Sequence, residues 1–299
     1  MAVEVLSRKN FIAALRRAGI REGDVVHVQS DLRTPGPVEA SPAANPREAI
    51  LEFYLAGFRE ALGPSGTLTV LTSFEDYGRF GTPFVREESP SRAGAFSEYM
   101  RTQPGAVRSV HPIVSLTGLG ERAEELCGGN HYDGCGYDSP WGRLHRLNAK
   151  FVSLGIGMRI AFSFQHYIEK QFGIPYQYTK LYRTPVYSNG REVPGPFTMS
   201  VRYLDFGIAY DFSRFEKRLL EKGAAVEVAL GRAMLQLTTA QPALDVGMAC
   251  LNEDRYFFLK TPPTFRDGEF PLDGFTGPEK YMYDRGKNDA PRAEEKPHG

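Results

Sequence analysis

The sequence predicts an α/β fold in three layers, with helices on both faces of a central mixed sheet. Helical and strand patterns alternate through the first quarter of the chain, an order that favours helices packed on a sheet. The 299 residues, 41% of them hydrophobic, suffice to bury a substantial core. One domain over residues 1–283 is expected. A disordered tail at 284–299 should follow, where DRGKNDAPRAEEKPHG carries almost no apolar residue.

SRKNFIAALRRAG (7–19) reads as a short amphipathic helix. Ser7 caps it, Phe11, Ile12 and Leu15 share a face, and Gly19 ends it. GDVVHVQS (23–30) is a strand, because β-branched residues start just after a Gly-Asp turn. Asn45 caps the next helix, Pro46 takes its first position, and it runs to Gly63. GPSG (63–66) turns the chain into a second strand, TLTVLTSF (67–74). From Glu75 to Ser91 the chain is polar, aromatic and rich in Gly and Pro, which predicts a long, functional loop. SRAGAFSEYMRTQ (91–103) is helical, PGAVRSVHP (104–112) turns and then extends, ERAEELCGG (121–129) is a short helix, and NHYDGCGYDSP (130–140) is a loop. KFVSLGIG (150–157) is a buried strand ending in a glycine turn, and AFSFQHYIEKQFG (161–173) is a helix. Residues 180–203 look strand-like with Asn189-Gly190 as a hairpin turn. FSRFEKRLLEKGA (212–224) is a helix, and a strand covers Leu230 to Leu237.

Lys plus Arg and Asp plus Glu both number 36, so no basic field exists to meet nucleic-acid phosphates. No segment approaches the roughly 20 apolar residues that cross a bilayer. The start, MAVEVLSRKNF, lacks the apolar centre of a signal peptide. Cys127, Cys135 and Cys250 are the three cysteines, with no CxxC pair, so neither a disulfide framework nor a zinc site is signalled. A reducing cytoplasm and no bound metal are expected.

Several residues could carry chemistry. His166 and Glu169 stand three apart on a helix and share a face, so the carboxylate can hold the imidazole N–H and raise its basicity. On spacing alone, a surface pair on an amphipathic helix is the more common meaning of that pattern. In GIGMR (155–159) a strand runs into a glycine turn and a helix, a shape that presents backbone N–H groups to an anion or simply makes a tight turn. Arg108 and Ser109 in RSVHPIVS (108–115) could bind a phosphate, or the segment could be a strand entrance with a structural His111. Cys135 could be a nucleophile, although a lone cysteine is more often a small buried hydrophobe. Trp141 reads as a core or hinge residue. There is no GxSxG elbow and no HExxH pair.

In their order these segments resemble the aminoglycoside 3-N-acetyltransferase (antibiotic N-acetyltransferase) family. The resemblance lies in GIREGDVVHVQSDLRTPG (19–36), ALGPSGTLTVLTSF (61–74), SRAGAFSEYMRTQPGAVRSVHPIVS (91–115), YDSPWGRL (137–144), SLGIG and then QHYIE and GIPYQYTK (153–180). A weaker match around GRAMLQLTTAQPALDVGMACL (231–251) extends it. The resemblance implies a three-layer α/β/α fold, acetyl-CoA as donor, and direct transfer to an amine without an acyl-enzyme. It puts the catalytic pair on His166 and Glu169. It puts coenzyme A contacts on Ser30, Asp31 and Leu32, on Arg108, Ser109, His111 and Ser115, and on Ser139 in the Asp138-Ser139-Pro140 turn. Ser73 is a candidate oxyanion donor. Glu75, Asp76, Tyr77 and Arg159 are candidates for substrate contact.

The stretch after the glycine turn, Met158-Arg159-Ile160-Ala161-Phe162, is larger and more basic than the short polar residues usual in resistance members of the family. With Arg79, Arg86 and Arg92 in the 75–92 segment, although Glu75, Asp76, Glu87 and Glu88 sit beside them, it suggests an anionic or neutral acceptor, such as a nucleotide-linked amino sugar or an amino-phosphonate, over a polycationic antibiotic. Solvated loop charges are an equally common meaning of such arginines. Two rival readings are a ping-pong acyltransferase using Cys135 and a non-catalytic protein that binds coenzyme A or a partner. Aromatic segments could serve a homodimer interface, but nothing marks one.

Overall fold

The computed structural model describes residues 5–39, 45–203 and 206–264. The expected tail at 284–299, and the end of the expected domain from 265 onward, lie outside the described residues. The first half of the chain runs α1 (Arg8–Ala18), β1 (Val25–Ser30), α2 (Pro46–Leu62), β2 (Thr67–Leu71), α3 (Glu75–Phe80), β3 (Phe84–Val85), α4 (Ala95–Arg101), β4 (Val107–Arg108), β5 (Leu116–Gly120), α5 (Ala123–Cys127) and α6 (Pro140–Arg146). The second half adds β6 (Lys150–Leu154), α7 (Gln165–Phe172), β7 (Gln177–Tyr182), β8 (Val186–Ser188), β9 (Arg191–Glu192), β10 (Phe197–Arg202), α8 (Ser213–Glu221), β11 (Ala225–Leu230), β12 (Ala233–Thr239) and α9 (Ala240–Glu253).

Seven strands form the central sheet in the order β11-β12-β6-β1-β2-β5-β4. Its centre is parallel, with β1 between β2 and β6, and its flanks are antiparallel. Strand periodicity splits β1 between two cores. Val26 and Val28 join Phe11, Leu15, Tyr54 and Phe58 of α1 and α2 on one face. Val25 joins Trp141, Phe164, Ile168, Phe215 and Cys250 of α6 to α9 on the other. Each such side chain, fully buried, contributes roughly 1.5–3 kcal/mol. Three layers, α/β/α around a mixed sheet, are the result. A smaller two-stranded sheet, β10-β7, and a three-stranded one, β3-β8-β9, stand apart from the central sheet.

The capping chemistry behaves as the sequence predicts. Ser7 accepts from Asn10 N, and Asn45 accepts from Arg47 N and Glu48 N with Pro46 opening the helix. The Asn189-Gly190 turn has both residues at positive φ and joins β8 to β9. The loop expected from Glu75 to Ser91 is a correction. Its first residues form α3 and Phe84–Val85 pair with β8, because Tyr77 and Phe84 are apolar anchors buried against the second core.

Candidate active site

Parallel strands β2, β1 and β6 end together at Leu71, Ser30 and Leu154. The chain leaves β1 for α2 on one face of the sheet and leaves β6 for α7 on the other. Such a switch of direction opens a crevice beyond the carboxyl ends of the strands. Gly155 lets the two exits approach. It sits at φ +70, and a Cβ there would fall on Thr34 Oγ1 and Asp31 O. The segment from Gly155 to Phe164 is then tied down by side chains. Thr34 Oγ1 donates to Gly155 O, Met158 N donates to Gln236 Oε1 at 2.8 Å, and Gln29 bonds Ala161 O and Ser163 N. These anchors fix where α7 begins and where His166 stands.

A cavity of about 280 Å³ opens here. His166 and Ser163 line it from the β6–α7 side, and Leu71, Ser73 and Glu75 from the end of β2. Ile113, Val114, Cys135, Trp141, Tyr210 and residues 199–202 of β10 also line it. The His166 side chain is 33% exposed while that of Glu169 is fully buried. His166 Nδ1 lies 3.3 Å from Glu169 Oε2, off the angle of a hydrogen bond. The Gln165 amide nitrogen is 3.1 Å from His166 Nε2. That amide can donate only to an unprotonated Nε2, so the neutral ring carries its proton on Nδ1, facing the carboxylate.

Among the described residues Glu169 has no Lys or Arg partner, and neutral donors hold it. Tyr176 donates to Oε1 at 2.8 Å, and Gln177 Nε2 and Tyr210 OH donate to Oε2 at 2.9 and 3.2 Å. Burial and the Glu169 charge push both tyrosine hydroxyls upward, so they remain donors. Sequence reasoning missed all three. Tyr176 and Gln177 lay within the quoted GIPYQYTK segment, and a helix end followed by two tyrosines around a glutamine was their only signal. Tyr210 comes from 41 residues beyond Glu169 and carried none.

The remaining expectations divide. Ser73 lines the cavity, as does Glu75. Burial raises the Glu75 carboxyl while Arg79, in an ion pair at 2.5 Å, opposes that shift. Asp76 pairs with Arg92 at 2.6 Å. Tyr77 is corrected: it is buried, and its hydroxyl donates to Thr184 O. Arg159 is also corrected. Its guanidinium and backbone N–H meet Glu216, so it does not line the cavity. Arg79, Arg92 and Arg159 each face a carboxylate, so the charge that suggested an anionic acceptor is compensated at these three residues.

The coenzyme A expectations need the largest revision. Ser30 and Asp31 are partly exposed at and just beyond the end of β1 and do not line the cavity, the bond to Arg33 lowers the Asp31 carboxyl, and Leu32 packs partly against the first core. Arg108, Ser109, His111 and Ser115 are instead buried with their polar atoms engaged inside the protein. Arg108 donates to Thr72 O at 2.6 Å, to Ser89 O, to Arg86 O and to Ser115 Oγ, with its guanidinium over the Phe84 ring. Ser109 Oγ accepts from Leu116 N, and Ser115 Oγ donates to Thr72 O. His111 Nδ1 accepts from Ile113 and Val114, and its Nε2 donates to Thr198 O at 3.0 Å, which seats β10 on the cavity. The segment therefore reaches the cavity through Ile113 and Val114, and its polar residues build the wall behind them. Ser139 is likewise corrected: buried, it caps α6 and donates to Gly136 O.

Cys135 faces the cavity, but burial pushes its thiol up, away from the thiolate a nucleophile needs. Among the described residues no group of three His, Cys, Asp or Glu could hold a metal ion, and no helix is long and apolar enough to cross a membrane.

Comparison with known proteins places this geometry. Residues 27–252 match the family model described as aminoglycoside 3-N-acetyltransferase. An aminoglycoside N(3)-acetyltransferase III of Salmonella sp is 28% identical over 209 residues, 62% of this chain and 68% of the relative. An aminoglycoside N(3)-acetyltransferase VII of Streptomyces paromomycinus is 25% identical over 277 residues, 83% of this chain and 92% of the relative. Among solved structures, AAC-IIIb in its binary complex with CoASH superposes with a TM-score of 0.71 at 24% identity. The alignment covers 87% of this chain and all of that one.

Proposed function

The chain belongs to the aminoglycoside 3-N-acetyltransferase family, and on that premise we propose that it moves the acetyl group of acetyl-CoA directly onto a primary amine of an aminoglycoside or related amino sugar. The observation that carries this reading is His166, half in the cavity, with its Nδ1 turned to a buried carboxylate and its Nε2 left as the basic nitrogen. An ammonium must lose a proton before it can attack, since its lone pair is otherwise engaged. His166 Nε2 takes that proton. Glu169, 3.3 Å from Nδ1, stabilises the imidazolium as it forms. The freed amine adds to the thioester carbonyl, forming the C–N bond, and the C–S bond then breaks to release coenzyme A thiolate. The imidazolium passes its proton to the thiolate, and the extra proton on the nitrogen of the collapsing intermediate leaves to solvent, so the ammonium and acetyl-CoA give amide, free thiol and one proton. Ser73, which lines the same cavity, is the candidate donor to the oxyanion of the tetrahedral intermediate.

Acetyl-CoA as co-substrate is supported by the structural neighbour solved with CoASH. The relatives' names supply the aminoglycoside acceptor. An anionic acceptor loses its support, because the arginines that suggested it are paired with carboxylates. Release of free thiol from acetyl-CoA, measured across deoxystreptamine antibiotics, simple amino sugars and nucleotide-linked amino sugars, tests the reading. Turnover with at least one primary amine supports it. Binding of acetyl-CoA by calorimetry without thiol release from any of them would favour the non-catalytic alternative.

A further inference from the structure

Glu169 Oε2 is crowded. Gln177 Nε2 at 2.9 Å, Tyr210 OH at 3.2 Å and His166 Nδ1 at 3.3 Å converge on it, while Oε1 takes Tyr176. One carboxylate oxygen offers two good acceptor directions. Gln177 and Tyr210 fill them, and the imidazole N–H is left within reach but off the hydrogen-bond angle. Tyr210 does more than donate. Its oxygen accepts the second N–H of Gln177 at 2.7 Å, its ring stands edge-on to His166 at 6.0 Å, and it lines the cavity.

We propose that Tyr210 is a positioning residue: by donating to Glu169 it limits how firmly that carboxylate grips His166, and so keeps the imidazole free to accept a proton. A dry carboxylate bonded squarely to an imidazole holds it protonated, and a base already protonated at the working pH takes nothing from substrate. Neutral donors on the carboxylate spread its charge and weaken that hold without adding a competing cation. The other charged and titratable groups around the site do not substitute for this. Lys170 is paired with Asp133 at 2.6 Å, Glu75 with Arg79, and Asp254, beyond Tyr176, with Arg214. Arg202 lies over the Tyr210 ring at 5.5 Å, and Cys135 is a buried thiol.

Tyr210→Phe isolates the effect. The ring keeps its edge contact with His166 and its stacking on Phe212, while the one O–H is lost. The inference rests on the acetyl-transfer reading for its purpose, but its primary readout needs no turnover. The protein is labelled at its six histidines, and the His166 signal, identified by its loss in His166→Ala, is titrated by NMR. In Tyr210→Phe the midpoint should rise by about 0.5–1 pH unit as the freed oxygen bonds Nδ1–H. The acid limb of kcat/KM should follow, so that activity falls about three- to tenfold further at pH 6 than at pH 9. Tyr176→Phe, which unloads the other oxygen, should shift the midpoint the same way and less. A merely structural tyrosine would lower thermal stability and leave the titration alone. Unchanged or lowered midpoints in both variants would overturn the proposal, even if acetyl transfer is confirmed. A raised midpoint would support it even if no amine in the panel reacts.

Discussion

Replacing Glu169 by Gln removes the buried charge and little else. The amide has the same shape and can keep its oxygen where Gln177, Tyr210 and His166 point. Its nitrogen then takes the place of Oε1, where the Tyr176 hydroxyl can accept as well as donate. The fold should lose about one net hydrogen bond, on the order of 1–2 kcal/mol. Relief from holding a carboxylate away from water offsets part of that. Catalysis should lose more. A full charge about 4 Å from an imidazolium, at an effective dielectric of about 20, is worth about 4 kcal/mol, and each 1.36 kcal/mol is tenfold in rate. The imidazole is one-third exposed, so water screens some of this. A loss of roughly 10²–10³ in kcat/KM is expected. Thiol release from acetyl-CoA at pH 8, with circular dichroism to confirm folding, measures it. A folded Glu169→Gln protein within about threefold of wild type would show that the carboxylate does not assist the imidazole, which would refute the electrostatic reasoning.

Other outcomes follow from the same geometry. Arg108→Lys cannot reproduce four bonds from a flat guanidinium. It should cost about 2–4 kcal/mol, lowering the thermal midpoint by roughly 3–6 °C, and an unchanged midpoint would contradict the assigned clamp. His27 and His111 are pushed down to about 3, and His131 to about 4, mainly by burial. The unfolded chain therefore binds protons below pH 6.5 that the fold refuses, so stability is full above that pH and falls toward pH 3–4. Between pH 6.5 and 5 each histidine should remove roughly 2 kcal/mol; denaturant midpoints that stay flat over this interval would contradict the burial. Finally, intact protein mixed with acetyl-CoA and no amine should gain no acetyl group at Cys135. A thioester there by mass spectrometry would restore the ping-pong route.

Local chemistry made most elements legible. Ser7, Asn45 with Pro46, Gly19 and Asn189-Gly190 each dictate backbone geometry within a few residues, and the structure obeys them. Elements whose formation depends on partners far along the chain were missed. β5 exists because Leu116–Gly120 pair with β2, and α3 because Tyr77 finds a core. The site divides the same way. His166 and Glu169 were readable because one helical turn joins them. Tyr210 was not, because folding alone brings it to Glu169. The polar residues of RSVHPIVS misled for a related reason: a sequence shows that an arginine or histidine is present, but not that buried carbonyls already occupy it. Arg92 and Arg159 misled likewise, since their carboxylate partners Asp76 and Glu216 are set by tertiary contact, whereas Arg79 meets Glu75 one turn away on the same helix.

Steady-state thiol release by His166→Ala, with its fold checked against wild type by thermal melting, bears on the whole scheme. With an accepted amine, kcat should fall roughly 10²–10⁴ while acetyl-CoA still binds, and raising the pH should recover part of the rate by deprotonating the amine in solution. Near-normal turnover at neutral pH would contradict His166 as the base.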